Sequence, residues 1–244
     1  MITRITIAGL LFALLAVACW GPSEATKHNN RGVELMHEGR SEEAIAELDR
    51  AIALQPDLAE AYSNRGLAYA QVGDLGRAVA DYDKAIELDP SYATAYSNRG
   101  VAYAQLGDFD RAMADYDKAI ELDPNYALAY GHRGSAHIEL EEYDQAIADC
   151  DKAIELDPNL AAAYNNRGSA YYELGEYERA IADYDKAIQL HPNNASPYYN
   201  RGSAYDELGD DDQAMADYEK ALSLATDPVL IAKINLAIEL LKAR

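Results

Sequence analysis

The chain has 244 residues, 49% hydrophobic and 26% charged, a balance that packs a core and excludes global disorder. Asp and Glu number 42 against 21 Lys and Arg, and the formal charge of −21 excludes nucleic acid and anionic lipid headgroups as partners. Nineteen tyrosines against two phenylalanines and one tryptophan place the aromatics at repeated slots.

In chain order, the first element is an export segment. Arg4 is the only charge ahead of the apolar run Ile5–Ala18, which is shorter than the ~20 residues of a spanning helix. Ala16 and Ala18 form a small-residue cleavage pattern, giving a signal peptide over 1–18, and Cys19 follows at once. Ala16-Val17-Ala18-Cys19 resembles a bacterial lipobox, which implies lipid on Cys19 and a membrane-anchored protein of the cell envelope or periplasm. Plain cleavage, giving a secreted protein, and an uncleaved anchor are the alternatives. Residues 19–24 form a short linker. With Cys19 lipidated or removed, Cys150 stands alone and no disulfide framework is expected.

From residue 25 the sequence repeats. Asn-Arg-Gly stands at 30–32, 64–66, 98–100, 166–168 and 200–202, and His132-Arg133-Gly134 fills the remaining place. Every step is 34 residues. Six repeats follow: 25–58, 59–92, 93–126, 127–160, 161–194 and 195–228.

Each repeat reads as two helices. In 59–92, Ala61, Tyr62, Ala68, Tyr69 and Val72 keep a helical spacing, Gly73-Asp74 interrupts it, and Ala78, Val79, Tyr82, Ala85, Ile86 and Leu88 resume it. Asp89-Pro90 closes the repeat, because a residue before proline is driven out of the helical region. A mid-helix glycine costs roughly 1 kcal/mol relative to alanine. The recurrence of Gly66, Gly100, Gly134, Gly168 and Gly202 therefore predicts that the paired helices approach closely there, with Tyr62, Tyr96, Tyr130, Tyr164 and Tyr198 filling gaps between neighbours. Pro228 opens a last helix through Leu241, with Asp227 as N-cap and Leu230, Ile234, Ala237, Ile238 and Leu241 on one apolar face. A cap over 228–244, apolar on one side only, is what a solenoid end requires.

Residues, order and period over 25–228 resemble the tetratricopeptide repeat. The resemblance implies an all-α, right-handed superhelical solenoid of six helix-turn-helix units plus a capping helix. It also implies that the first helices line a concave groove for an extended peptide or helix of a partner.

Catalytic signatures are missing: the chain has no Gly-x-Ser-x-Gly, phosphate loop or His-Glu-x-x-His. Asp81-x-Asp83-Lys84 recurs as Asp115-x-Asp117-Lys118, Asp149-x-Asp151-Lys152 and Asp183-x-Asp185-Lys186. Residues two apart on a helix face different directions, so these acids read as solvated faces and partners for the Asn-Arg-Gly arginines. His28, His37 and His191 lack metal-ligand spacing, and no metal or cofactor is expected. Repeat 127–160 is divergent. His137 and Cys150 replace tyrosines of the other repeats, and Glu141 stands where they have glycine. A Cys beside a His is either a small core pair or an activated thiolate.

Counting Ala59 as the first place of a repeat, the resemblance puts ligand-facing residues at places two, five, six, nine, twelve and thirteen. Place six holds Asn30, Asn64, Asn98, His132, Asn166 and Asn200. An amide both donates and accepts, which suits a ligand backbone; a helix-to-helix ladder is the other reading. Place five holds Asn29, Ser63, Ser97, Gly131, Asn165 and Tyr199. With no Lys at place two, the clamp by which chaperone-tail binders hold a terminal carboxylate is not expected. Place thirteen runs His37, Gln71, Gln105, Glu139, Glu173, Glu207, and Tyr172 and Tyr199 gather at the acidic end. Clustered acids favour a cation and tyrosines stack on Arg or Lys. The reading is a non-enzymatic scaffold that takes a partner's basic segment across 127–228 and its neutral part across 25–126. A self-assembling structural solenoid and a thiol enzyme using Cys150 and His137 are the alternatives.

Overall fold

The computed structural model describes residues 21–243. The segment 1–18 and Cys19 lie outside them. The described residues divide in sequence into two compact units, with the boundary between Asp89 and Pro90. Thirteen helices and no strand occur among the described residues.

The first unit holds two helix pairs: α1 (Glu24–His37) with α2 (Ser41–Leu54), and α3 (Ala59–Gln71) with α4 (Leu75–Leu88). The second unit holds four: α5 (Ala93–Gln105) with α6 (Phe109–Leu122), α7 (Ala127–Glu139) with α8 (Tyr143–Leu156), α9 (Ala161–Glu173) with α10 (Tyr177–Leu190), and α11 (Ala195–Glu207) with α12 (Asp211–Leu224). A last helix, α13 (Pro228–Lys242), follows.

The turn inside a pair has one geometry throughout. The amide of Asp74 bonds back to the Tyr69 carbonyl at 2.9 Å and that of Gly73 to Ala70 at 3.0 Å, a Schellman closure that needs a left-handed residue. Gly73 supplies it with φ 82°. In repeat 127–160 the same bonds run from Glu142 to His137 and from Glu141 to Ile138, with Glu141 itself at φ 60°. Asp74, Asp108 and Asp210 then cap the following helix through their side chains.

The recurring glycine makes room for the residue sixteen places on. A Cβ on Gly66 would stand 2.8 Å from the Tyr82 ring and 3.1 Å from the Ala78 carbonyl. Gly100, Gly168 and Gly202 face Tyr116, Tyr184 and Tyr218 in the same way, Gly32 faces Leu48, and Gly134 faces Cys150. The gap-filling rings are therefore these second-helix tyrosines, which are among the largest fully buried side chains. Tyr62, Tyr96, Tyr130 and Tyr164 are only half-buried, and the motif arginines lie over their rings at 5.5–5.7 Å.

Asp227 accepts from the amides of Val229 and Leu230 and starts α13. Ile234 and Leu241 are buried with Tyr198, Ala214, Tyr218 and Ala221, while Leu230, Ala237 and Ile238 pack beside them. The expectation of a cap apolar on one side only does not hold. Val229, Leu236 and Leu240 are exposed on the other side. A helix this rich in aliphatics has too few polar positions for its period to mark a single face.

Candidate functional site

The first helices carry the candidate residues, and an ion-pair bridge holds α3, α7, α9 and α11 in register. Arg65 of α3 donates through Nε and Nη2 to both oxygens of Asp81 in α4, at 2.8 and 2.7 Å, and through Nη1 to Asp49 of α2 at 2.6 Å. One guanidinium thus ties its own helix pair and the preceding one, the geometry for which its planar fork is suited. In the second unit Arg133 bridges Asp149 and Asp117, Arg167 bridges Asp183 and Asp151, and Arg201 bridges Asp217 and Asp185. Desolvation opposes the guanidinium charge, yet the carboxylates hold these arginines well above the usual range.

This corrects the reading of the acids as solvated faces. Asp81, Asp115, Asp149, Asp183 and Asp217 are buried at 5–7% exposure. Asp117, Asp151 and Asp185 are exposed but serve as inter-repeat ties. The acid at one position of Asp-x-Asp turns inward and the next turns out, which spacing alone does not order.

The place-six residues form a ladder. Asn64 Nδ2 donates to Asn29 Oδ1 at 2.9 Å, Asn200 Nδ2 to Asn165 Oδ1 at 3.1 Å, and Asn166 Nδ2 to the Gly131 carbonyl at 3.3 Å. His132 Nδ1 and Ser97 Oγ share a bond of 3.2 Å. Each bond joins place six to place five of the preceding repeat. Asn30, in the first repeat, is exposed, and Asn98 is half-buried. Burial holds His132 below its ordinary pKa, so its imidazole is neutral at pH 7.

Two cavities in the second unit occupy equivalent places in the repeat. The first, about 330 Å³, is lined by Val101, Ala104 and Gln105 of α5, Phe109 and Tyr116 of α6, and His132, Ser135, Ala136 and Glu139 of α7. The second, about 220 Å³, is lined by Ser169, Tyr172 and Glu173 of α9, Tyr184 of α10, and Tyr199, Asn200 and Ser203 of α11. Tyr116 and Tyr184 hold the same repeat place, so the two sites share a frame and differ in filling. The first is largely apolar; the second is aromatic and polar.

The structure therefore brings Tyr172, Glu173, Tyr199 and Asn200 together. It places Glu139 and His132 in the other cavity. Glu139, Glu173 and Glu207 are all exposed, each as the last residue of its helix. Burial first, then the charges of Glu207 and Glu173, push the Tyr172 hydroxyl above its usual range. Val101, Ser169 and Ser203 hold place nine, one of the ligand-facing places, whereas Phe109, Tyr116 and Tyr184 of the second helices were not among the predicted site residues. The period does signal them, since each recurs at a lining place of its repeat.

Cys150 is fully buried, and burial first, then the Asp149 charge, push its thiol up to about 12. That is the reverse of an activated thiolate. His137 is engaged elsewhere: its Nδ1 bonds Glu142 Oε2 at 2.6 Å and its Nε2 lies 3.6 Å from Asp149 Oδ2. Among the described residues no three His, Cys, Asp or Glu side chains group as metal ligands, and no helix is long and apolar enough to cross a membrane.

The chain matches family models described as "TPR repeat" over residues 32–73, 70–107, 134–175 and 168–209, and as "Tetratricopeptide repeat" over 93–126, 115–148 and 195–228. No curated protein matches it. Among solved structures it is similar to the APC/C hetero-tetramer Cut9–Hcn1, at 18% identity and TM-score 0.82. That match covers 95% of this chain and 46% of the other, so the chain spans about half the length of that protein. A tetratricopeptide repeat protein from Parabacteroides merdae is 22% identical with TM-score 0.69, over 91% of this chain and 88% of that one. These two likenesses concern the fold alone. YrrB, described as a TPR protein with an unusual peptide-binding site, is 26% identical with TM-score 0.53, over 78% of this chain and 97% of its own.

Proposed function

The chain belongs to the tetratricopeptide-repeat family, and from that premise we propose that it is a non-enzymatic envelope scaffold binding an extended, partly basic partner segment on its first-helix face. The fold supports a protein-interaction scaffold, and the peptide-binding site of YrrB is the precedent for a peptide on such repeats. The observation that carries the basic preference is the convergence of Tyr172, Tyr199, Glu173 and Asn200 on one cavity. Ring faces and a carboxylate in a partly desolvated recess favour a Lys or Arg side chain. The ligand's apolar side chain is assigned to the equivalent cavity between α5 and α7, where Val101, Ala104 and Phe109 leave only Glu139 charged.

Binding of synthetic peptides to the full chain tests this, with basic sequences compared to twins carrying Gln for Lys and Arg. Basic peptides should bind more tightly, and Glu173→Gln with Glu207→Gln should weaken them about tenfold, the cost of one well-placed charge contact. The matched control is Asp110→Asn with Asp144→Asn, exposed acids in the first turns of α6 and α8. Equal losses from both pairs, or equal binding of the neutral twins, would sink the proposal. The envelope address rests on Ile5–Ala18 and Cys19. Cys19→Ser should abolish lipid labelling and release the protein from membranes; a variant still bound as tightly as wild type means an uncleaved anchor.

A further inference from the structure

The last helix turns two apolar faces outward from its axis. One packs on α11 and α12 through Ile234 and Leu241. On the other, Val229, Leu236 and Leu240 are 63%, 57% and 58% exposed, and Ala232 and Ala243 are exposed between and beyond them. Steps of three, four and seven residues align side chains along one side of a helix. The large exposed hydrophobics Val72, Leu106, Leu140, Leu174 and Leu208 occur singly instead, one just past each first helix from α3 to α11. Single exposed aliphatics are ordinary, whereas a continuous stripe marks a contact surface.

We propose that this outer stripe of α13 is a self-association surface, on which a second copy of the chain docks α13 against α13 about a two-fold axis. The charge pattern chooses the occupant. Within α13 two lysines, Lys233 and Lys242, stand against one acid, Glu239, in a chain whose acids outnumber its bases two to one. Two copies repel each other everywhere the acids dominate, so contact is least opposed at α13. The opposite end of the sequence is no complement for an apolar stripe. On α1 the exposed Lys, Arg and Glu side chains are ion-paired, Lys27 with Glu24 at 2.6 Å and Arg31 with Glu34 at 2.9 Å. Docking α13 there would desolvate those charges without new partners. An apolar stripe matched to itself gives an isologous, closed pair, because each copy uses its stripe once. One helix pair covers less than the ~800 Å² per partner of a standard stable interface, so the dimer exchanges with monomer as concentration changes.

Sedimentation of the full chain from about 1 µM to several hundred µM tests the proposal in the range where such weak pairs dissociate. The mass should rise from 26.8 kDa towards twice that value. Leu236→Glu with Leu240→Glu should stay monomeric throughout with an unchanged melting curve, since neither side chain belongs to the core. The variant keeps the apolar N-terminal run, so its loss of association isolates α13. Leu236 lies mid-stripe and meets its own counterpart whichever way the helices run. In a Cys19→Ser background, Leu236→Cys should therefore oxidise to a disulfide-linked dimer that Cys19→Ser alone does not form. Wild type at a constant monomer mass, growth beyond the dimer, or undiminished association of the double variant would each overturn the proposal. So would a monomeric wild type that binds phosphatidylcholine vesicles through these leucines, which would assign the stripe to a lipid surface.

Discussion

Repeats 127–160 and 161–194 are adjacent and share one backbone plan, yet their side chains part at the stacked ring, the arginine over it, the buried ring and the turn. In the second of them Arg179 lies 3.8 Å over the Tyr171 ring, Tyr184 fills the space beside Gly168, and Gly175 makes the turn. In the first, His137 stands in place of that tyrosine, Gln145 in place of that arginine, Cys150 in place of the buried ring, and Glu141 in place of the glycine. What both keep is the guanidinium bridge and the glycine and alanine contacts: Arg133 with Asp149 and Asp117, Arg167 with Asp183 and Asp151. Ala146, Ala153, Ala180 and Ala187 are all fully buried. In these two repeats the bridge and the close helix approach are kept, and the aromatic positions vary around them.

The largest expected effect tests the bridge. Arg167→Ala strands Asp183 in a buried position and frees Asp151 from its tie across the repeats. Removing one partner of a buried pair costs roughly 3–5 kcal/mol, and the half-exposed Asp151 puts this site near the lower end. Urea unfolding should show about 3 kcal/mol lost, and the same loss for Arg133→Ala within roughly 0.5 kcal/mol, as expected of independent equivalent sites. A clearly smaller loss for Arg133 would mean that His137 and Cys150 have weakened the frame itself.

Next comes the glycine contact, where the two repeats should part. A Cβ at Gly168 meets ring carbons of Tyr184 at 2.8 and 3.0 Å and the Ala180 carbonyl at 3.2 Å. A buried ring has no free end to move, so Gly168→Ala should destabilise by about 1–2 kcal/mol, the overpacking cost net of the helix gain. At Gly134 the obstacle is the Cys150 sulfur at 2.9 Å, with the Ala146 carbonyl at 3.3 Å. A two-atom side chain shifts more easily, and Gly134→Ala should cost less than half as much. Equal costs would place the constraint in the backbone approach and not in the ring.

Much of this was legible in the sequence. The 34-residue period, the two helices per repeat, the cap at Asp227 and the pairing of Asn-Arg-Gly arginines with second-helix acids all follow from spacing and residue type. Spacing did not reveal that Asp81 and its equivalents are buried, because a 200° rotation between i and i+2 says that they diverge and not which one turns in. Nor did it rank the two roles of the place-six amides, since an Asn ladder and an Asn-lined groove have the same sequence. The neighbour of each recurring glycine lies sixteen residues away across a turn. Only the packed pair shows that Tyr82 and Tyr184, and not Tyr62 and Tyr164, press on it.

The turn gives an effect of opposite sign. Glu141 holds φ 60° where the neighbouring repeat has Gly175 at 76°. Left-handed backbone costs a residue with a Cβ roughly 1–2 kcal/mol, offset in part by the extra unfolded-state freedom of glycine. Glu141→Gly should therefore raise stability by about 1 kcal/mol in thermal or urea unfolding, and Gly175→Glu should lower it by a similar amount. No gain at Glu141 would mean that its carboxylate makes good the strain by some other contact.

The smallest effect concerns the thiol, and pH separates it from packing. Burial and the Asp149 charge raise Cys150 from an ordinary value near 9 to about 12. Between those values the unfolded chain has lost the thiol proton and the folded chain still holds it. The folded state then binds more protons, so stability falls as pH rises; the contribution is intact below about 9 and is progressively lost towards 12. Burial also raises Tyr184 in the neighbouring repeat, with the same sign, but its unfolded value is near 10 and its fall begins a unit later. At pH 9.5 the thiol accounts for somewhat under 1 kcal/mol, about what the linkage relation yields half a unit above the unfolded value. Cys150→Ala lowers stability by a pH-independent packing cost and should flatten the decline between pH 8.5 and 9.5. An unchanged slope would refute the assignment to this thiol. The same protection should make native Cys150 nearly inert to iodoacetamide at pH 7 and fully reactive in urea. Rapid native alkylation would restore a reactive thiol, and with it an enzymatic reading of the His137 and Cys150 pair.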